Sequence, residues 1–176
     1  PGRCDVGTFF PALEHLVAPR ESLERAASLL QPGGHVIVEL PDWASWQARW
    51  FGRHWLHLDV PRHRYHFTRE LLVRMAADFG LTCRTVQHFS LEYGPYSMLQ
   101  STLAASGLDH VLFTRLLRPA GEGARPRSAM LLHLLLSPLL AAGLGVATAV
   151  ELLAAAAGHG AVVRVTLQAQ AGGPRA

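Results

Sequence analysis

The chain has 176 residues, 49% hydrophobic and 16% charged, which is enough for one domain with a core and too apolar for a disordered chain. Its formal charge of +3 rests on arginine with no lysine, amid abundant Ala, Leu and Gly. That pattern reads as a GC-rich coding bias, so the basic balance alone does not signal nucleic acid. Cys4 and Cys83 lie far apart without a CxxC partner; this excludes a cysteine zinc site and fits a reducing, cytoplasmic setting.

In chain order, the start PGRCDVGTFF carries no initiator Met and no signal peptide, and enters strand-like sequence at once. The chain is therefore expected to begin in the middle of a domain. CDVGTFF, 4–10, suits a buried strand. PRESLERAASLLQPGG predicts a helix with Pro19 near its start and Leu23, Ala27 and Leu30 on one face, stopped at Pro32-Gly33-Gly34. HVIVEL, 35–40, is a β-branched strand buried on both faces, and strand, helix, turn, strand is a parallel βαβ unit of an α/β domain.

An aromatic and basic segment follows at 43–67. Thr68 is placed to cap a helix over RELLVRMAADFG, with Leu71, Met75 and Phe79 sharing a face and Gly80 ending it. LTCRTVQHF, 81–89, reads as an edge strand. AVVRVTLQAQ alternates Val163, Val165 and Leu167 against Arg164, Thr166 and Gln168, the pattern of a half-buried strand. Between these strands, 129–157 is apolar over a membrane-spanning length, interrupted by His133 and Glu151. A single span would put the strands of one sheet on opposite sides of a membrane, so the Ser137-Pro138 break is read as splitting it into two helices of an apolar hairpin. That hairpin is first a domain cap or lid, then a membrane-contacting surface, then a true span.

The stretch DVPRHRYHFT, 59–68, with RWFGRHWLHL before it, concentrates histidine, arginine and aromatics. As a metal site it would use His54, His57, His63 and His66, with Asp59 the one carboxylate nearby. As a nucleic-acid patch it would use Arg49, Arg53, Arg62, Arg64 and Arg69, with Trp50, Trp55 and Tyr65 for stacking. Both carry low weight, and neither metal nor nucleic acid is predicted.

The segments CDVGTFFPALEHLVAPRESLERAASLLQPGGHVIVELPD and RWFGRHWLHLDVPRHRYHFTRELLVRMAADFGL together resemble the C-terminal half of a class I S-adenosylmethionine-dependent methyltransferase. The carrying motifs are Asp5 in the first strand, the LEHL segment, L-x-P-G-G, the H-x-x-H-F loop and the Phe79-Gly80-Leu81 turn. The resemblance covers about the first 90 residues in detail and the last strand loosely. It implies a partial Rossmann-like α/β sheet holding the family's strands 4-5-7-6, with the apolar helical hairpin inserted. The organisation expected is a methyltransferase half at 1–90 with a substrate-side loop at 42–67, a helical insertion or lid at 91–158, and a final strand with flexible tail at 159–176. The family's first three strands, its glycine-rich loop and its ribose-gripping acid have no counterpart in the sequence, so a truncated and inactive enzyme is expected.

The resemblance further implies S-adenosyl-L-methionine as cofactor, with Phe10 and Pro11 beside its methionine half. Glu14 and His15 become candidate acceptor contacts or bases, against a plain reading as helix-start residues. A related branch, the ubiquinone-type O-methyltransferases, holds a metal with an extra Glu where Pro11 stands here; Glu14 and His15 alone fall short of a ligand set. His63 is the first choice for base, because histidine near neutral pKa can take a hydroxyl proton. His66, Arg62, Trp55 and Tyr65 are the expected acceptor contacts, with His66 and Phe67 as readily bracing the loop. Trp43, Trp46, Trp50 and Trp55 are expected to wall an apolar pocket or pack a lid. The expected partner is a small-molecule methyl acceptor, with O-methylation ahead of C-methylation. Two rivals stand beside this: a membrane-associated module working through 129–157, and a basic nucleic-acid binder.

Overall fold

A computed structural model describes residues 4–107 and 127–170, with the side chains of 127–136 left aside. Its elements are β1 (Cys4–Phe9), α1 (Pro19–Leu29), β2 (Leu30–Pro41), α2 (Trp46–Phe51), α3 (Arg69–Ala77), β3 (Leu81–Gln87), α4 (Gly94–Ala105), α5 (Arg127–Ala156) and β4 (Val162–Ala169). Short 3-10 turns stand at Leu13–His15, Gly52–His54 and Leu56–Leu58.

The sheet runs β1-β2-β4-β3. β1 and β2 are parallel, while β4 runs antiparallel to both β2 and β3. This is the expected 4-5-7-6 order with a reversed last strand. β4 slots between β2 and β3 because its inward residues Val163, Val165 and Leu167 are fully buried, whereas Arg164 faces out and its Nε donates to Glu39 Oε2 at 2.6 Å. Leu23 of α1 and Leu72 and Ala76 of α3 join Val36, Val38 and Leu40 in the main core.

Several local expectations shift. β2 begins at Leu30, so the PGG turn lies inside an irregular strand start with a register shift opposite Cys4–Val6. A Cβ on Gly34 would meet Asp5 O and Gln31 O at 3.0 Å each, so a larger residue here would press the two strands' backbones apart. β1 is not buried as 4–10 was expected to be: among the described residues it pairs with β2 alone, and Val6 stays 52% exposed. In α3 the inward stripe runs through Leu72 and Ala76, leaving Leu71 exposed. Thr68 caps that helix as predicted, its Oγ1 accepting from Leu71 N at 3.2 Å.

The apolar segment departs most. Pro138 does not split it; α5 is one helix of 30 residues with Pro138 inside. The missing amide and ring clash of a proline can be absorbed in a long helix rather than end it. A helical hairpin does form, but between α4 and α5. Gly94 sits against Glu151, Leu99 against Gly143, and Met98, Leu99 and Ala147 form a second small core. Its buried hub is Glu151, whose Oε1 accepts from Ala161 N at 2.6 Å and Oε2 from Gln47 Nε2 at 2.7 Å. Burial holds this carboxyl above its ordinary pKa. The tail at 171–176 lies outside the described residues.

Candidate active site

With β3 parallel to β2, the carboxyl ends of β1, β2 and β3 open on one side of the sheet, where ligands of open α/β folds collect. Each end delivers one wall of a cavity of about 480 Å³. β1 leads to Pro11, Glu14 and His15; the loop after β2 gives Leu56, His57, Asp59, Arg62 and His63; the loop after β3 and the start of α4 give Glu92, Tyr93 and Tyr96.

The β2 loop is fastened at both ends. Asp42 N donates to Ala161 O at 2.9 Å, Trp43 N to Phe67 O at 2.8 Å, and Ala44 N to the buried Asp42 carboxylate at 2.9 Å. Its middle is tied to the turn after β1, since Arg64 N donates to Glu14 O at 2.9 Å. Asp59 takes a left-handed conformation at the corner, accepts from the Arg62 guanidinium at 2.8 Å and receives His63 N on its carbonyl at 3.0 Å.

These ties set the histidine tautomers. His15 Nδ1 lies 3.1 Å from Arg62 O, and His63 Nδ1 lies 2.7 Å from His57 O. A carbonyl only accepts, so each ring holds its proton on Nδ1 and, when neutral, presents a bare Nε2. The two rings meet edge to face at 4.6 Å. His63 Nε2 also lies 3.9 Å from Asp59 Oδ2.

Beside them Glu14 is buried, and neither carboxylate oxygen has a hydrogen-bond partner among the described residues. Burial raises its pKa, while the nearby backbone amide of Glu14 itself, then His63, His15 and the backbone of Ala12, pull the other way without reaching hydrogen-bond geometry. His57 Nε2 is likewise buried and unpartnered. Burial, then the nearby His63, lowers its pKa to about 4, so His57 stays neutral at ordinary pH. Orphaned acceptors cost free energy, and their clustering on one cavity marks a surface shaped for a ligand. Glu14, His15 and His63 each offer a ligand-type atom, all within 4.8 Å of one another. The sequence counted two of these as too few for a metal; the third comes from a loop that only the fold brings near.

The structure thus brings together Pro11, Glu14, His15, Arg62 and His63. It places the other expected residues elsewhere. Phe10 is half exposed beyond the cavity, with the Arg164 guanidinium 5.5 Å over its ring. Trp55 is core, packed 5.8 Å from Trp43 and 5.5 Å from His57. His66 stacks on Trp43 at 4.9 Å, and burial lowers its pKa. The Tyr65 hydroxyl donates to Val17 O at 3.0 Å, bracing the loop. The tryptophans do not line this cavity; Tyr93, Tyr96 and Leu56 do. The tyrosines were missed, yet LEYGPY follows a strand whose carboxyl end points the same way, and that rule could have found them.

Residues 1–86 match a family model described as a methyltransferase domain. No curated protein matches the chain. Among solved structures, the 4+2 cyclase SpnF is similar at 16% identity and a TM-score of 0.50, covering 97% of this chain and 51% of that one. The cyclopropane synthase MmaA2 from Mycobacterium tuberculosis is similar at 16% identity and a TM-score of 0.50, covering 95% of this chain and 56% of that one. The chain thus spans about half the length of these structures. At such identities the likeness shows the Rossmann-like fold alone, and a cyclase and a synthase share it.

Proposed function

We propose, from the match of residues 1–86 to a methyltransferase-domain family model, that this chain forms the acceptor side of an S-adenosylmethionine-dependent methyltransferase whose acceptor is a small molecule methylated on a hydroxyl oxygen. The observation that carries the reading is the buried, unpartnered Glu14 flanked by two histidines that present Nε2 to one cavity.

The residues present fit one end of the cofactor. The buried Glu14 carboxyl beside Pro11 places an acceptor where a positively charged group would meet it at the cavity. For the adenosine end, no G-x-G-x-x-G stretch occurs in the sequence, so tight cofactor binding by residues 1–176 alone is not expected, and alone they are expected to be inactive. When bound, S-adenosylmethionine supplies an electrophilic methyl group on a sulfonium. What these residues contribute is placement and a proton sink. Tyr93, Tyr96 and Leu56 exclude water from an acceptor. His57, kept neutral, accepts a hydrogen bond at Nε2. His63 Nε2 takes the hydroxyl proton, with His57 O holding the ring by Nδ1–H. The remaining rate comes from alignment of acceptor and methyl.

The test uses the enzyme that carries this chain together with its cofactor-binding half. His63→Ala should lower turnover on a hydroxyl acceptor by about 10²- to 10⁴-fold while S-adenosylmethionine affinity holds within a few-fold. Unchanged turnover removes His63 from the mechanism.

A further inference from the structure

Helix α5 is built inside out for a helix facing water. Its one charged residue between Ser137 and Ala156, Glu151, is turned inward and fully buried. The exposed positions from 138 to 156 hold only Pro, Leu, Ala, Gly and Val. Leu139, Val146 and Leu153, each about two-thirds exposed, recur every seven residues and so form a single stripe. A solvated surface helix carries its polar residues on that side. Leu140, Ala147, Val150 and Ala154 already serve the inward face, so among the described residues no core contact uses the outer stripe.

We propose that this outer face of α5 docks the protein in the plane of an anionic lipid bilayer. Three observations favour lipid over a protein partner. First, protein interfaces carry about one hydrogen bond per 100–200 Å². The outer face offers none from its side chains, and the hydroxyl of Thr148 is already spent on Leu144 O at 2.8 Å. Second, the C-terminal end carries residues of the kind that anchor helices at a membrane interface. Past the C-terminal end, His159 stacks on Trp46, Trp46 abuts Trp50, and Trp50 is 57% exposed beside the exposed Arg49 and Arg53. Third, the helix is long and apolar enough to cross a bilayer. Yet β3 and β4, on either side of it in sequence, pair in one sheet; a lone crossing would separate them, and an in-plane helix does not.

The experiment is flotation of the full chain with phosphatidylcholine vesicles, with and without phosphatidylglycerol. The chain should float with the anionic vesicles, and added salt should weaken the association. The combined variant Leu139→Ser, Val146→Ser, Leu153→Ser should keep its helical circular dichroism, because all three side chains are exposed. It should lose at least about a hundredfold in partitioning, since three large apolar side chains would no longer enter the lipid. Failure to float with either vesicle overturns the proposal, as does equal flotation of the variant. A lipid-free dimer that the same variant dissociates also overturns it, by assigning the stripe to a second copy. None of these outcomes bears on His63 or the methyl acceptor.

Discussion

Replacing Glu14 by glutamine tests whether the cavity carries a carboxylate that folding disfavours. Glu14 is 2% exposed with both oxygens unpartnered, and burial raises its pKa. In the unfolded chain it ionises near the ordinary value of 4.5; in the fold it holds its proton to higher pH. The folded state therefore binds more protons in that window. Stability falls as pH rises from 4.5 through the folded pKa, and then levels. The plateau should be on the order of 1–3 kcal/mol, the cost of a buried acceptor left without partners. Glu14→Gln cannot ionise, so its stability relative to wild type should grow by that amount as pH rises from 4.5 through the folded pKa of Glu14. Urea denaturation at a series of pH values measures it. The difference isolates Glu14, because the raised Asp42 and Glu151 and the lowered His57 contribute equally to both proteins. Parallel curves across the whole range would refute the reasoning. A gain in stability with loss of turnover would show a site held at the expense of the fold.

His57 should behave in the opposite sense. With its pKa lowered to about 4 from 6.5, it contributes stability above pH 6.5 that is lost as pH falls toward 4, about 3 kcal/mol in all. Imidazole NMR should show the ring neutral at pH 5, and a midpoint near 6.5 would contradict its burial. Glu151→Ala leaves the Ala161 amide unpaired and removes one of the two acceptors of Gln47. A loss of about 2–4 kcal/mol in chemical denaturation is expected, and an unchanged midpoint would mean that α5 is not anchored there. Thr68→Ala should cost about 1 kcal/mol through its lost cap on Leu71, read as a lower thermal midpoint with the cavity unchanged.

Alternation and turn chemistry made most of the fold legible. Val163, Val165 and Leu167 point inward because a strand repeats every two residues. Thr68 starts a helix because its hydroxyl can accept a free amide. The motif order then implied the 4-5-7-6 sheet that the chain adopts. Glu14, His15 and His63 were legible as chemistry-bearing residues. Their meeting was not, because it depends on Asp59 turning the loop and on Arg64 N reaching Glu14 O across 50 residues of sequence. Periodicity reports which side of an element is apolar, but not what lies against it. Hence Leu71 was turned inward, Trp55 was placed on a pocket wall that Tyr93 and Tyr96 form, and Pro138 was given a break that the helix does not take. The sequence by itself determined the strands, the caps and the residue types able to move a proton. Only the tertiary structure decided which histidine nitrogen is bare, which carboxylate is left without partners and which face of α5 stays uncovered. Those properties belong to neighbours far apart in sequence, and packing alone brings them into contact.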